Sequence, residues 1–330
     1  MPQRWVFHVG QPFLPDLPDP FAAGLGGTEQ AIIRLTSALA ALGEQVSVFN
    51  GSATSRVLNG VRWETDQPAA DIDVAINDAS LLPDRVTLPI VWMHNEVAFT
   101  RELRRGRLPA LLRTRPIGVF VGTTQARQAS RLLPFRQRAV IPLGLSDNAV
   151  RARAVTTPPG RTALFTSQAY RGLKEVLELW QSQVAPRLPD ATLQALIAAD
   201  DVAEYSAQVV TPGVTISPRI ANDAVIAKLR DTRVLLAPGH ASETFCLAAA
   251  EAIALGVPVI TLGRGALAER VRNGVDGFIC SDWADMAART RTVLTDDMQW
   301  MRLHREGQRN TTGRSWYDVA RMWLELVSQR

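Results

Sequence analysis

Short apolar runs alternate with amphipathic stretches along almost the whole chain. In the first half, Trp5–Val9, Val46–Phe49, Val74–Ile76, Ile90–Met93, Val119–Val121 and Ala139–Ile141 are apolar on both faces. Such runs predict strands of a parallel sheet covered by helices. Thr28–Leu42 predicts a helix, because Ala31, Ile32, Leu35, Leu39 and Leu42 follow helical spacing and Gly43 stops the run. Leu145–Gly160, which contains Pro158 and Pro159, reads as a linker. The alternation then restarts, with strands at Ala163–Thr166, Leu193–Ile197, Val214–Ile216, Val234–Ala237, Val257–Thr261 and Gly277–Ile279. Helices are predicted at Leu173–Val184, Ala221–Leu229 and Thr244–Leu255, and an apolar-faced terminal helix at Trp316–Val327. Two such series predict two doubly wound α/β domains, residues 1–148 with 316–330, and residues 149–315. Ligands of these sheets sit at the carboxyl ends of the strands, so a site is expected in the cleft between the domains.

Composition narrows the class. The chain has 330 residues, 46% of them hydrophobic, enough for two cores. No run approaches the roughly 18 apolar residues of a membrane helix, and Met1–Gly10 does not read as a signal peptide. Two cysteines, Cys246 and Cys280, make neither a disulfide framework nor a zinc spacing, so a cytoplasmic setting and no metal are expected. The net charge is +4, and only Lys174 and Lys228 among the 36 basic residues are lysines. Ten arginines fall between Arg101 and Arg138, with Glu102 the one acid there. Such a stretch attracts anionic membrane lipid, a phosphorylated acceptor or nucleic acid, or is simply a solvated basic surface. No zinc knuckle, helix-turn-helix or aromatic-basic RNA motif accompanies it, which makes nucleic acid the weakest of the three partners.

The strongest chemical signal is Ser242-Glu243-Thr244-Phe245-Cys246-Leu247-Ala248-Ala249-Ala250-Glu251. A buried strand leads through Pro238 and Gly239 into a predicted helix whose first-turn amides, those of Thr244, Phe245, Cys246 and Leu247, would form an anion site. On that helix Glu243 and Glu251 would point within about 80° of each other. Glu251 lies in an apolar run, where a carboxylate needs a partner or a ligand; the alternative is a dipole-complementing Glu243 and a solvated Glu251. Cys246 reads as a small packing residue. Ser167 and Arg171 follow a strand and precede a helix, a place suited to phosphate, although Arg171 could equally cap a neighbouring helix. Arg219 and Ile220 follow another strand, where Arg219 could stack on a base or face solvent. In the first half, Gly26, Gly27 and Thr28 open the long helix as a glycine-rich approach or a plain turn. His94 ends a strand, either in the expected cleft or as a satisfied core histidine. His8 and His240 carry less weight, and the proline-rich Pro12–Pro20 segment would cover the acceptor side.

Two glutamates separated by seven residues, then Ala-Ile-Ala-Leu-Gly-Val-Pro-Val-Ile and Gly265–Phe278, resemble the retaining glycosyltransferases of family 4, which have the GT-B fold. The resemblance covers most of the C-terminal domain. It implies that Glu251 binds the donor ribose, that Glu243 lies by the transferred sugar and that the intervening amides hold sugar and phosphate. It also implies main-chain contact with the base at Arg219 and Ile220, His94 near the donor sugar, and Gly26–Thr28 in the Gly-Gly-any-Glu element. At the diphosphate the chain departs from the family. The usual earlier arginine is absent, and Arg171-Gly172 stands where lysine-glycine is usual.

The expected activity is therefore transfer of a hexose-type sugar from a UDP- or GDP-linked donor to a hydroxyl, with retention and without metal or other cofactor. The acceptor would be a glycan, a lipid-linked glycan or a small molecule. The rival classes are a nucleotide-dependent oxidoreductase, a non-catalytic sugar-nucleotide-binding protein and another transferase or epimerase on the same fold. Asn50-Gly51 after the second strand, where a nicotinamide site carries an acid, counts against the first.

Overall fold

The computed structural model describes residues 2–11, 25–51, 54–152, 154–309, 311 and 313–329. The chain separates into two compact units: Gly26–Gly144 with the N-terminal strand and the final helix, and Leu145–Gly313. The segment read as a linker opens with a short helix, Asp147–Val150, because Ser146 Oγ accepts from the Ala149 amide and caps it.

The first unit is an eight-stranded sheet in the order β3-β4-β2-β1-β5-β6-β7-β8. Its strands are β1 (Arg4–His8), β2 (Gln45–Phe49), β3 (Arg56–Leu58), β4 (Val61–Glu64), β5 (Ile72–Ile76), β6 (Pro89–Met93), β7 (Ile117–Phe120) and β8 (Gln137–Val140). All pair in parallel except β3 with β4, a hairpin absent from the expected elements. Its turn is Asn59-Gly60, with φ of 49° and 78°, the left-handed pair whose twist matches a two-residue hairpin.

Strands β5 to β8 advance one way across this sheet, so right-handed crossovers place their connecting segments on one face. There Ala79, Leu82, Val97, Leu111, Ala129 and Leu133 pack on Val91, Met93 and Phe120. The helix Gly27–Ala41 crosses in the opposite sense and lies on the other face, beside the final helix Trp316–Ser328. Ser315 and Asp318 form a capping box that starts the final helix. Its Trp323 is fully buried, edge-on to Trp92 at 5.3 Å and to Trp5 at 6.4 Å. Burying one such ring stabilises by about 3 kcal/mol or more.

The second unit is a six-stranded, all-parallel sheet in the order β11-β10-β9-β12-β13-β14. The strands are β9 (Thr162–Thr166), β10 (Thr192–Ile197), β11 (Val214–Pro218), β12 (Val234–Leu236), β13 (Val259–Thr261) and β14 (Gly277–Ile279). Phe165, Trp180, Leu193, Ile197, Leu236, Ile260 and Trp300 are buried in its core. Strand order reverses at β9: β10 and β11 lie on one side of it, β12 to β14 on the other. Loops leaving such a reversal part from each other and open a crevice at the strands' carboxyl ends.

Candidate functional site

The second unit brings two predicted residues together at that reversal. Arg171 closes a short 3-10 turn, Ala169–Arg171, in the loop after β9, and Glu243 stands in the loop after β12. Arg171 Nη1 donates to Glu243 Oε2 in an ion pair whose side chains are only 23% and 9% exposed. The loops meet because Gly172, at φ 106°, lies where a Cβ would come 3.1 Å from the Pro238 ring. Arg171 Nε is buried and has no partner among the described residues. Burial opposes the arginine's charge, but Glu243 and Tyr170 more than offset it, so its pKa lies above the ordinary value. Tyr170 and His240 stand edge to face at 5.5 Å on the rim, and His240 Nδ1 lies 2.7 Å from Ser242 Oγ.

The helix expected from Thr244 starts later, at Leu247. Thr244, Phe245 and Cys246 therefore supply no first-turn amides, and helical rotation does not relate Glu243 to Glu251. Two local contacts explain the shift. Cys246 adopts φ 61°, outside the helical region, and its amide donates to Glu243 Oε1 at 3.1 Å. On the other side Gly265, at φ 60°, packs so close that a Cβ would lie 2.4 Å from the His240 carbonyl oxygen, and the Ala266 amide donates to the Glu243 carbonyl at 2.8 Å. The loop is thus held as a turn against the segment after β13, and the open amides at the helix start belong to Leu247 and its successors. Cys246 is a protonated thiol: burial, aided by the Glu243 charge, pushes it up to about 12.

Sequence reasoning missed Arg270. Its guanidinium lies 3.9 Å over the Phe245 ring, and its Nε donates to the Phe245 carbonyl at 3.2 Å. Burial lowers its pKa. Arg270 lies within the family-like segment, but cation–aromatic contact leaves no spacing rule to find it by.

Glu251, on the helix Leu247–Ala254, is 3% exposed, and Asn222 Nδ2 donates to its Oε1 at 3.1 Å. Asn222, absent from the expected residues, begins the helix Asn222–Arg230 that follows β11. Arg219 and Ile220 lie half-buried in the loop between them, where the Arg219 amide donates to the Ile197 carbonyl at 2.8 Å. Ser167 is half-buried directly after β9. Neither acid lies in open solvent.

In the first unit, Gly26 is the N-cap of the helix Gly27–Ala41, and Gly27 and Thr28 occupy its first turn. A Cβ on Gly26 would come 2.4 Å from Glu29 Oε2, so this glycine makes room for the Glu29 carboxylate. Gly24 and Pro12–Pro20 lie outside the described residues. His94 follows β6, 7% exposed, with its ring 4.2 Å from that of Trp92. Burial lowers its pKa to about 3, so the imidazole is neutral at neutral pH. Asn77, at φ 61° after β5, fixes this turn by accepting from the His94 and Asn95 amides at 2.7 and 3.0 Å. The sheet order reverses at β1, where His8 Nε2 and Asp73 Oδ1 form a buried pair at 2.8 Å.

Two doubly wound α/β units of this kind define the GT-B fold. HepE from Anabaena, solved in complex with UDP-glucose, shares it with a TM-score of 0.74 and 15% identity, over 99% of this chain and all of that one. Residues 160–296 match the family described as Glycosyl transferases group 1, which bears out the resemblance read from Glu243 to Phe278. The chain is 38% identical over 99 residues to glycogen synthase of Mycobacterium tuberculosis, 29% of this chain and 24% of that protein. It is 29% identical over 167 residues to D-inositol 3-phosphate glycosyltransferase of Rhodococcus jostii, 46% of this chain and 36% of that protein. The matched stretch thus spans between a quarter and about a third of those relatives.

Proposed function

We propose that this chain is a retaining glycosyltransferase that moves a hexose-type sugar from a nucleotide diphosphate donor, UDP- or GDP-linked, to an acceptor hydroxyl in glycoconjugate or polysaccharide synthesis. The observation that carries the reading is the Arg171–Glu243 ion pair across the strand-order reversal, with a buried Arg171 Nε left over for a ligand oxygen. Glu251, held by Asn222, is assigned to the donor ribose, and Glu243 to the hydroxyls of the transferred sugar. Arg219 and Ile220 take the base, Ser167 and Arg171 the diphosphate. The acceptor oxygen attacks the anomeric carbon from the face of the departing diphosphate, the bond to the diphosphate oxygen breaks, and a phosphate oxygen takes the acceptor proton. Charge on the leaving group is assigned to Arg171 and to the amides that open the helix at Leu247, fixed dipoles that need no reorganisation. His94, as a neutral imidazole, offers a hydrogen bond to the sugar and no proton.

The test is a calorimetric screen of UDP, GDP and their sugars, followed by assay of donor hydrolysis and transfer. Binding with turnover is expected. Absence of binding across both series overturns the proposal, and binding without hydrolysis or transfer selects the non-catalytic sugar-nucleotide-binding protein.

A further inference from the structure

The stretch Arg101–Arg138 takes in the end of the helix Phe99–Arg104 and the helices Leu108–Thr114 and Thr123–Gln128, all in the layer over strands β5 to β8. Their inner side is apolar core. The outer side carries both arginines and exposed aliphatic residues: Leu103 is 56% exposed, Leu112 57% and Leu132 74%. The acids around it are already engaged. Arg101 pairs with Glu96, Arg107 with Asp78 and Arg113 with Asp84. The one acid within the stretch, Glu102, is buried, and burial raises its pKa above the ordinary range. Arg104, Arg105, Arg115, Arg127, Arg131 and Arg136 have no carboxylate partner among the described residues. No described helix is long and apolar enough to cross a membrane.

From this juxtaposition of unpaired arginines and exposed leucines on one layer we infer that the outer side of the layer docks on the surface of an anionic lipid bilayer. The arginines supply attraction to the phosphates, and the leucines enter the boundary between headgroups and acyl chains. A surface for nucleic acid or another polyanion needs the first set but gains nothing from large exposed aliphatic side chains. Single exposed leucines are ordinary; three interleaved with six unpaired arginines on one layer unite the two requirements of peripheral membrane binding. The inference stands apart from the donor site, because all of these residues belong to the first unit.

The experiment is sedimentation of the full chain with phosphatidylcholine vesicles, with and without one-third phosphatidylglycerol, at low and high salt. Binding to the anionic vesicles only is expected, with partial loss on raising salt. The triple variant Arg104→Glu, Arg105→Glu, Arg115→Glu should bind at least about tenfold more weakly. The lysine versions of the same three positions should retain binding. The triple variant Leu103→Ser, Leu112→Ser, Leu132→Ser should keep weak binding at low salt and lose the salt-resistant part. All substituted side chains are exposed, and an unchanged melting temperature confirms that each variant is folded. No sedimentation with anionic vesicles overturns the inference. So does a leucine variant that binds like the parent, which leaves a purely electrostatic surface, or capture of duplex DNA with vesicles ignored.

Discussion

The two units differ in how their loops are tied at the carboxyl ends of the strands. At the reversal in the second unit the loops after β9 and β12 are tied by a largely buried ion pair, and a second buried acid, Glu251, sits on the helix that follows. In the first unit the loops after β5 and β6, next to the reversal at β1 with its buried His8–Asp73 pair, are tied by amides and a carboxamide, Asn77 to His94 and Asn95, around an imidazole that burial keeps neutral. The difference teaches where charge is needed. A site for a diphosphate must hold fixed cations and acids in place before the ligand arrives, and charges held out of water must be paired. Under the proposed function, a surface that only orients an acceptor hydroxyl does not require such charges. Substitutions should therefore act on binding in the second unit and on turnover or pH response in the first.

The largest effect is expected at Glu251. Glu251→Ala removes the acceptor for Asn222 Nδ2 and the assigned partner of the ribose, and should weaken nucleotide binding by about a hundredfold or more, roughly 3 kcal/mol. Titration calorimetry with UDP and GDP measures it; unchanged affinity would remove Glu251 from the donor site. Arg171→Ala comes next. It strands the Glu243 carboxylate, so stability should fall by about 2–3 kcal/mol while nucleotide affinity drops about 10- to 100-fold. The double variant Arg171→Ala, Glu243→Gln separates the two losses. Unfolding in urea should recover most of the stability, whereas nucleotide affinity stays low. Recovery of both would make the pair a structural clamp with no part in binding.

Much of this contrast was readable from the chain before any coordinates. The long apolar strands and the long amphipathic helix of each half fall within a few residues of their expected places, because strands buried on both faces leave an unambiguous pattern. The hairpin β3–β4 escaped, although Asn59-Gly60 between Val57 and Val61 is a turn signal, because its strands are short and lie at the sheet edge. Glu243, Glu251 and Arg171 were legible as residue types at spaced positions. The start of the helix at Leu247 was not, since the left-handed Cys246 and the crowding by Gly265 depend on a loop that lies beyond the next strand in the sequence. Asn222, Asn77 and Arg270 escaped for a related reason: each acts on a partner from another element, and no local pattern records that meeting.

His94 sharpens the other side of the comparison. Burial holds its folded pKa at about 3, below the ordinary 6.5, so the folded state favours the neutral ring. The unfolded chain takes up a proton near pH 6.5 and the folded one does not. The associated stability is fully present above about pH 6.5 and is lost as pH falls from there towards 3, by up to about 1.4 kcal/mol per unit. Urea unfolding at a series of pH values should show the stability difference between the parent and His94→Gln changing along that slope below pH 6.5 and staying flat above it. At neutral pH the same variant should lose about tenfold in turnover with affinity for the bare nucleotide unchanged. A parallel pair of stability curves would mean that the ring titrates normally and is hydrated.

The smallest effect, and the one that separates geometry from charge within the second unit, belongs to Arg270. Its stacking on Phe245 and its bond to the Phe245 carbonyl hold the residue immediately before the left-handed Cys246, whose amide in turn engages Glu243. Arg270→Lys keeps the positive charge but loses the planar fork and its fit to ring and carbonyl together. If Arg270 acts by shaping the loop, the substitution should cost about 1 kcal/mol of stability and weaken donor binding only a few-fold, equally for UDP and for its sugars. If its guanidinium instead meets the donor, the loss should fall on the nucleotide sugar and spare the bare nucleotide, because the Phe245–Cys246 turn lies next to Glu243, the residue assigned to the sugar. Paired calorimetry with UDP and UDP-glucose distinguishes these results. The first leaves Arg171 as the one cation assigned to the donor; the second adds a cation at the sugar.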